Sequence, residues 1–187
     1  VWTPLAIHRA GGDDSPLYRA SVRPHKIRDF VQVDIVAIDT TRVSMDLILG
    51  PEEPEGTDVL MDKRTGLVPA ARLPDLIAVT NGGFKRRHGN WGVGLDGVTA
   101  WSPRPEGCSF AKLKDESYRV ATHTSLAPSL EGGFAFFRQT PPYLIEDGKK
   151  HPDLAIEHKA KVWAGAEDGN KETRRNAVGL GAVGRTL

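Results

Sequence analysis

Residues 76–84 read LIAVTNGGF, an apolar run that ends abruptly at Asn81-Gly82-Gly83. Successive apolar residues without polar residues at helical spacing predict a strand that is buried on both faces. The Asn81 amide that follows can donate and accept hydrogen bonds, and two glycines allow a sharp turn and the close approach of another group. Two interpretations stay open: a tight turn, for which Asn-Gly is a common signal, or a ligand site at the end of a strand.

Cationic side chains follow this segment and return near the end of the chain. Lys85, Arg86, Arg87 and His88 come directly after Phe84, and Arg174-Arg175 precedes the apolar residues 177–180. A planar guanidinium matches phosphate oxygens, and an imidazole exchanges protons near neutral pH. The alternatives for these groups are solvated surface charges and a solvated loop histidine.

Four segments, taken together, resemble the phosphodiester glycosidase family. They are N-G-G-F at 81–84, G-x-x-x-D-G at 92–97, an aromatic and proline-rich segment that ends in the Asp-Gly turn at 147–148, and R-R-x-A-V-G at 174–179. The resemblance runs from about Val33 to the chain end, and its sharpest parts are Thr80–Phe84 and Arg175–Gly179. Lys85 departs from the family, whose members usually carry a second aromatic residue there. The later Gly- and Ser-containing active-site segments of the family would lie beyond Leu187.

The resemblance implies a hydrolase that cleaves a sugar phosphodiester or a related glycosidic linkage in a carbohydrate or sugar-phosphate substrate. It places the Asn81 amide on the sugar or the phosphate, and it makes Arg175 the phosphate clamp. The expected catalytic residues are Asn81, Arg175, Asp39 and His88. The expected substrate-binding residues are Thr80, Gly82, Gly83, Arg86, Arg87 and Arg174.

Carboxylates usually cleave glycosidic bonds in pairs, and the sequence identifies no such pair. Asp39 is the best placed acid because it ends the predicted strand Val31–Asp39. Asp96 is most simply a turn residue, and Asp34 and Asp46 are typical of outward-facing strand positions. The general acid and base therefore remain open.

Composition excludes several classes of protein. A chain of 187 residues with 39% hydrophobic residues predicts one domain with a sizeable core, and a net charge of +1 argues against a nucleic-acid surface. No apolar run is long enough to span a membrane. One cysteine excludes an internal disulfide and a cysteine-based zinc site. The six scattered histidines offer no ligand spacing, so no cofactor is expected, and a divalent cation stays open.

The predicted fold is α+β, with a mixed, largely antiparallel sheet and short flanking helices. Residues 1–30 are expected to form an irregular arm with one extended piece at Leu17–Val22, and residues 31–187 the phosphodiester-glycosidase-like domain. Asp96-Gly97 and Asp147-Gly148 predict hairpin turns. Further strands are expected at 43–49, 92–95, 98–101, 109–113, 118–122, 134–138, 143–146 and 177–180, and short helices after Thr57 and around Ala70.

The end of the chain is predicted to be incomplete as a sheet. The predicted strand at 177–180 and the turn after it would leave an open edge at Leu187, so we expect a further segment, such as a second fragment of the same precursor, to complete the fold. The first residue, Val1, is not methionine, which fits removal of a signal peptide or other processing, and the expected location is extracytoplasmic or secreted. The alternative function is a non-catalytic glycan- or partner-binding module on the same scaffold.

Overall fold

The computed structural model describes residues 1–7, 15–155 and 176–181. Two compact units are present, one formed by Val1–Met45 with Val178–Leu187 and the other by Asp46–Ala177. The described residues form an α+β, strand-rich fold with antiparallel sheets, which confirms the fold class.

The first unit contains a three-stranded antiparallel sheet in the order β1-β2-β3, made of Thr3–Pro4, Leu17–Val22 and Val33–Ile38. The extended piece at Leu17–Val22 and the strand before Asp39 are therefore confirmed. The predicted hairpin between β3 and residues 43–49 is wrong, because β3 pairs with β2 and residues 43–49 form no strand. Asp39 explains the change of direction: its carboxylate accepts from the Thr41 hydroxyl at 2.7 Å, and its carbonyl accepts from Val43 N at 3.1 Å.

The second unit is built on a five-stranded antiparallel sheet in the order β5-β4-β8-β6-β7. Asp96 and Gly97 join β4 to β5 with positive φ angles of 52° and 79°, as a type I′ hairpin turn requires. The strands are β4 Val93–Leu95, β5 Val98–Trp101, β6 Cys108–Leu113, β7 Tyr118–Thr122 and β8 Phe134–Thr140. All five match predicted strands to within two residues at either end.

One α-helix, α1 at His123–Glu131, connects β7 to β8. The Thr122 side chain caps it by accepting from Ser125 N. Leu126 packs from the helix onto the sheet in a buried cluster with Ala111, Leu113, Phe134 and Phe137. The sequence analysis missed this helix, since Pro128 inside it is a usual breaker.

Short elements complete the second unit. The predicted hairpin at Asp147-Gly148 is confirmed by β9 Ile145–Glu146 and β10 Lys149–Lys150. The helix expected around Ala70 is a 3-10 helix at Ala70–Asp75, and the one expected after Thr57 is a 3-10 turn at Met61–Lys63. Two further 3-10 helices are Arg86–His88 and Pro152–Ala155.

Two predicted core strands are wrong. Residues 76–80 are largely exposed and pair with neither edge strand, β5 or β7, of the five-stranded sheet. Residues 177–180 also form no strand, and Val178 is 46% exposed. Ala177 and Gly179 have little or no side chain to bury, which weakens strand formation there. No helix in the described ranges is both long enough and apolar enough to cross a bilayer.

Candidate functional site

A cavity of about 160 Å³ lies beside the N-G-G-F loop within the second unit. That volume equals about five water molecules at liquid density, so it suits a phosphoryl group or one sugar ring. The residues that give the lining its chemistry are Glu53, Gly82, Gly83, Phe84, Lys85, Arg86, Trp91, Trp101 and Arg138. The cavity thus combines cations and aromatic faces with the two glycines singled out in the sequence.

Arg138 organises the loop that borders this cavity. It lies on the central strand β8, opposite Val93 of β4. Its Nε donates to the Gly82 carbonyl at 3.1 Å, and one Nη donates to the Phe84 carbonyl. The other Nη donates to the carbonyls of Trp91 at 2.8 Å and Gly92 at 3.1 Å. One guanidinium therefore ties the N-G-G-F loop to the segment that enters β4.

The electrostatic surroundings of Arg138 are unusual for an arginine. Burial lowers the pKa of its guanidinium, and the negative charge of Glu53 works in the opposite direction. The group is nevertheless cationic at neutral pH, because an arginine pKa lies far above it. A desolvated cation of this kind attracts an anion more strongly than a solvated one.

Arg86 supplies a second guanidinium, which lies over the ring of Trp101. Its guanidinium carbon lies 4.0 Å from the centre of the Trp101 ring, a cation–π contact. Its Nε donates to Asn90 Oδ1 at 3.3 Å, and Nη1 donates to the Glu55 carbonyl at 3.2 Å. Gly56 leaves room for this arrangement, since a Cβ there would lie 2.0 Å from Arg86 Nη1.

Glu53 is the acidic side chain in the lining of this cavity. Its Oε1 and Oε2 accept from Arg86 N at 3.3 and 3.2 Å, and Oε2 also accepts from Glu55 N at 3.3 Å. The neighbouring Glu52 instead pairs with Lys85 at 3.5 Å, and its side chain is 81% exposed. The backbone contacts hold Glu53 in the same lining as Arg86 and Arg138, and its charge acts on the Arg138 guanidinium.

Asn81 and Asn176 meet although 95 positions separate them in the sequence. Asn176 Nδ2 donates to Asn81 Oδ1 at 2.5 Å. Each residue belongs to one of the two sharpest segments of the family resemblance. The structure therefore brings these segments together next to the loop that borders the cavity.

The remaining expected site residues are dispersed. Thr80 and Arg87 are exposed, and neither they nor His88 belongs to the described lining of the cavity. Arg87 Nε donates to His88 Nε2 at 3.3 Å, and the His88 ring packs edge-on against Phe84. Arg174 and Arg175 lie outside the described residues.

Asp39 has a local structural role in the first unit. Hydrogen bonds from the side chain and then the backbone of Thr41 lower the pKa of its carboxyl group. These contacts make Asp39 the cap of the turn after β3. Nothing in this geometry directs its carboxylate toward a substrate.

Metal-ligating groups and the single thiol lie as follows in the described residues. Among the residues described, no group of three or more His, Cys, Asp or Glu side chains could hold a metal ion. Cys108 is buried, and burial followed by the charge of Glu146 raises the pKa of its thiol to about 11. A thiol of such high pKa is protonated at neutral pH and is a poor nucleophile.

The sequence analysis missed Arg138 and Glu53. An arginine within the apolar strand at 134–140 was the available signal for Arg138, whereas Glu53 stands in a proline-rich turn without any motif. Comparisons with protein-family models, with curated proteins and with solved structures found no match for this chain. The assignment of function therefore depends on the chemistry of the cavity and the segments around it.

Proposed function

We propose that this chain is a hydrolase of sugar phosphodiesters or related glycosidic linkages. The observation that carries the proposal is the hydrogen bond between Asn81 and Asn176. It joins the two segments on which the resemblance to phosphodiester glycosidases is strongest. Neither asparagine belongs to the described lining of the cavity, but Gly82, which follows Asn81, does. The contact supports the proposal because two segments that are far apart in the sequence, and that both resemble the family, lie side by side in the structure.

The lining of the cavity supports the same substrate class. Arg86 and Arg138 offer cationic groups to the phosphate, and the aromatic residues Trp91 and Trp101 lie in the same lining. Gly82 and Gly83 let the backbone approach the ligand closely. Within this proposal Asn81 binds the sugar or the phosphate, and Arg175 clamps the phosphate.

A non-catalytic sugar-phosphate-binding module is the second candidate. Glu53 is the acidic residue of the described cavity lining, whereas most glycosidases place two carboxyl groups at the bond they cleave. Lys85 in place of the aromatic residue usual in the family favours the same alternative. Binding without turnover distinguishes this candidate from a hydrolase.

The test is turnover of a panel of hexose 1-phosphodiesters with a methyl group on the phosphate, followed by release of reducing sugar. We expect the unmodified chain to release sugar from at least one member. Arg175→Lys keeps the charge but loses the planar fork, so it should lose most of the activity with little change in melting temperature. Arg119→Lys, on the edge strand β7, is the matched control and should retain activity.

Three outcomes separate the candidates. Sugar release that Arg175→Lys abolishes supports the hydrolase. Saturable binding of the hexose 1-phosphodiesters without any release supports the binding module. If the chain neither binds nor cleaves any member of the panel, both candidates are wrong.

A further inference from the structure

We infer that Glu53 is the general base of this site and that the phosphate leaving group removes the need for a second carboxyl group. This inference rests on the proposed hydrolase function. Its starting point is the composition of the described lining, in which one carboxylate stands with the guanidinium groups of Arg86 and Arg138.

Backbone hydrogen bonds hold the Glu53 carboxylate in place and leave part of its acceptor capacity available. A carboxylate has about four lone-pair sites. Arg86 N is shared between the two oxygens, and Glu55 N donates to Oε2, so Oε1 has further capacity to accept from a water. Because these donors are backbone groups, the carboxylate is fixed to the start of the 3-10 helix Arg86–His88.

The chemistry of the leaving group explains why one carboxylate is enough. An ordinary glycoside expels an alcohol, whose oxygen must be protonated by a carboxylic acid as the bond breaks. A sugar phosphodiester expels a phosphate monoester, which is stable as an anion because its second pKa is about 6. Arg86 and Arg138 can stabilise the charge that develops on this phosphate. Cations thus replace the general acid.

The proposed step is a single displacement at C1 of the sugar. Glu53 takes a proton from a water molecule, and the water oxygen forms a bond to C1. The bond from C1 to the phosphate oxygen breaks, and its electron pair stays on that oxygen. The products are the free sugar with inverted configuration and the phosphate monoester, and Glu53 then returns its proton to solvent.

Glu53→Gln is the decisive variant because it keeps the shape of the side chain and one oxygen that accepts from backbone N–H groups. With the hexose 1-phosphodiester that the unmodified chain cleaves, kcat should fall about 10²–10⁴-fold while KM changes little. Sodium azide should restore turnover and give a glycosyl azide, since an anionic nucleophile needs no base. Glu52→Gln, one residue away and largely exposed, is the matched control and should keep the original rate.

The configuration of the first product gives an independent readout. NMR of the unmodified chain, recorded before the free sugar equilibrates between anomers, should show inversion. Retention would overturn the inference, as would full activity of Glu53→Gln or a loss that azide does not repair. If Glu53→Gln fails to melt cooperatively, the anomer formed by the unmodified chain decides the question. Absence of turnover in the unmodified chain would instead reject the proposed function, and this inference with it.

Discussion

Replacing Arg138 with alanine should destabilise the second unit strongly. The change removes the donor for four carbonyls, those of Gly82, Phe84, Trp91 and Gly92. Trp91 and Gly92 are buried, but the Gly92 carbonyl also accepts from Gln139 N at 2.9 Å and keeps that hydrogen bond. The Trp91 carbonyl is therefore the buried group that loses its donor, at a cost of about 1–3 kcal/mol. Gly82 is exposed, so water replaces part of what its carbonyl loses. We therefore expect the free energy of unfolding to fall by about 2–4 kcal/mol, with the largest loss from the Trp91 carbonyl.

Urea unfolding monitored by tryptophan fluorescence measures this loss, because Trp91 and Trp101 both line the adjoining cavity. Arg138→Lys keeps the charge but cannot reach all four carbonyls, so its loss should be about half as large. Arg119→Ala on β7 controls for removal of an arginine from the same sheet. An Arg138→Ala variant within about 0.5 kcal/mol of the unmodified chain would refute the view that the guanidinium holds the loop.

Two further variants test packing and electrostatics. Gly94→Ala should lower the free energy of unfolding by about 1–3 kcal/mol in urea, because its Cβ would lie 2.4 Å from a Phe137 ring carbon. Gly50→Ala is its control, since nothing lies within 4 Å of the added Cβ. Equal losses in the two variants would contradict the reasoning. Asp34→Asn should lower the melting temperature at pH 7, because hydrogen bonds, the one from Ser21 foremost, lower the Asp34 pKa to about 2. That stabilisation is complete above the unfolded-state pKa of about 3.9 and disappears as the pH falls toward 2, so a melting difference that persists at pH 2 would contradict it.

Local signals predicted the sheet of the second unit well. Asp96-Gly97 and Asp147-Gly148 fix two hairpins through their positive φ angles, and such turns depend only on adjacent residues. The strand at 134–140 was also apparent, since its apolar residues outnumber its polar ones. Interactions between neighbouring residues were therefore sufficient to predict these elements.

Apolar runs were a poorer guide where pairing depends on distant residues. Residues 76–80 have the composition of a buried strand, but a strand also needs backbone pairing, and these residues pair with neither edge strand, β5 or β7, of the five-stranded sheet. For α1 the error was the reverse, since a helix is present where none was predicted. Pro128 argues against a helix at this position, but the packing of Leu126 stabilises it. Tertiary contacts decided both cases.

The site was predicted in part, for the same physical reason. The N-G-G-F segment marked Gly82 and Gly83, and Arg86 followed them closely enough to be included. Arg138 lies 56 positions from Gly82, whose carbonyl it contacts. Glu53 lies 33 positions from Arg86, whose backbone N–H it accepts from. Proximity of that kind arises only when the chain has folded.

The position of β8 in the middle of its sheet has a consequence for folding during synthesis. The hairpins β4–β5 and β6–β7 need only neighbouring residues and can form as soon as each has emerged from the ribosome. The two hairpins stay separate, each with an open edge, until residue 140 is available to pair with both β4 and β6. The nascent chain is therefore most vulnerable to edge-to-edge aggregation between the completion of β7 and the insertion of β8.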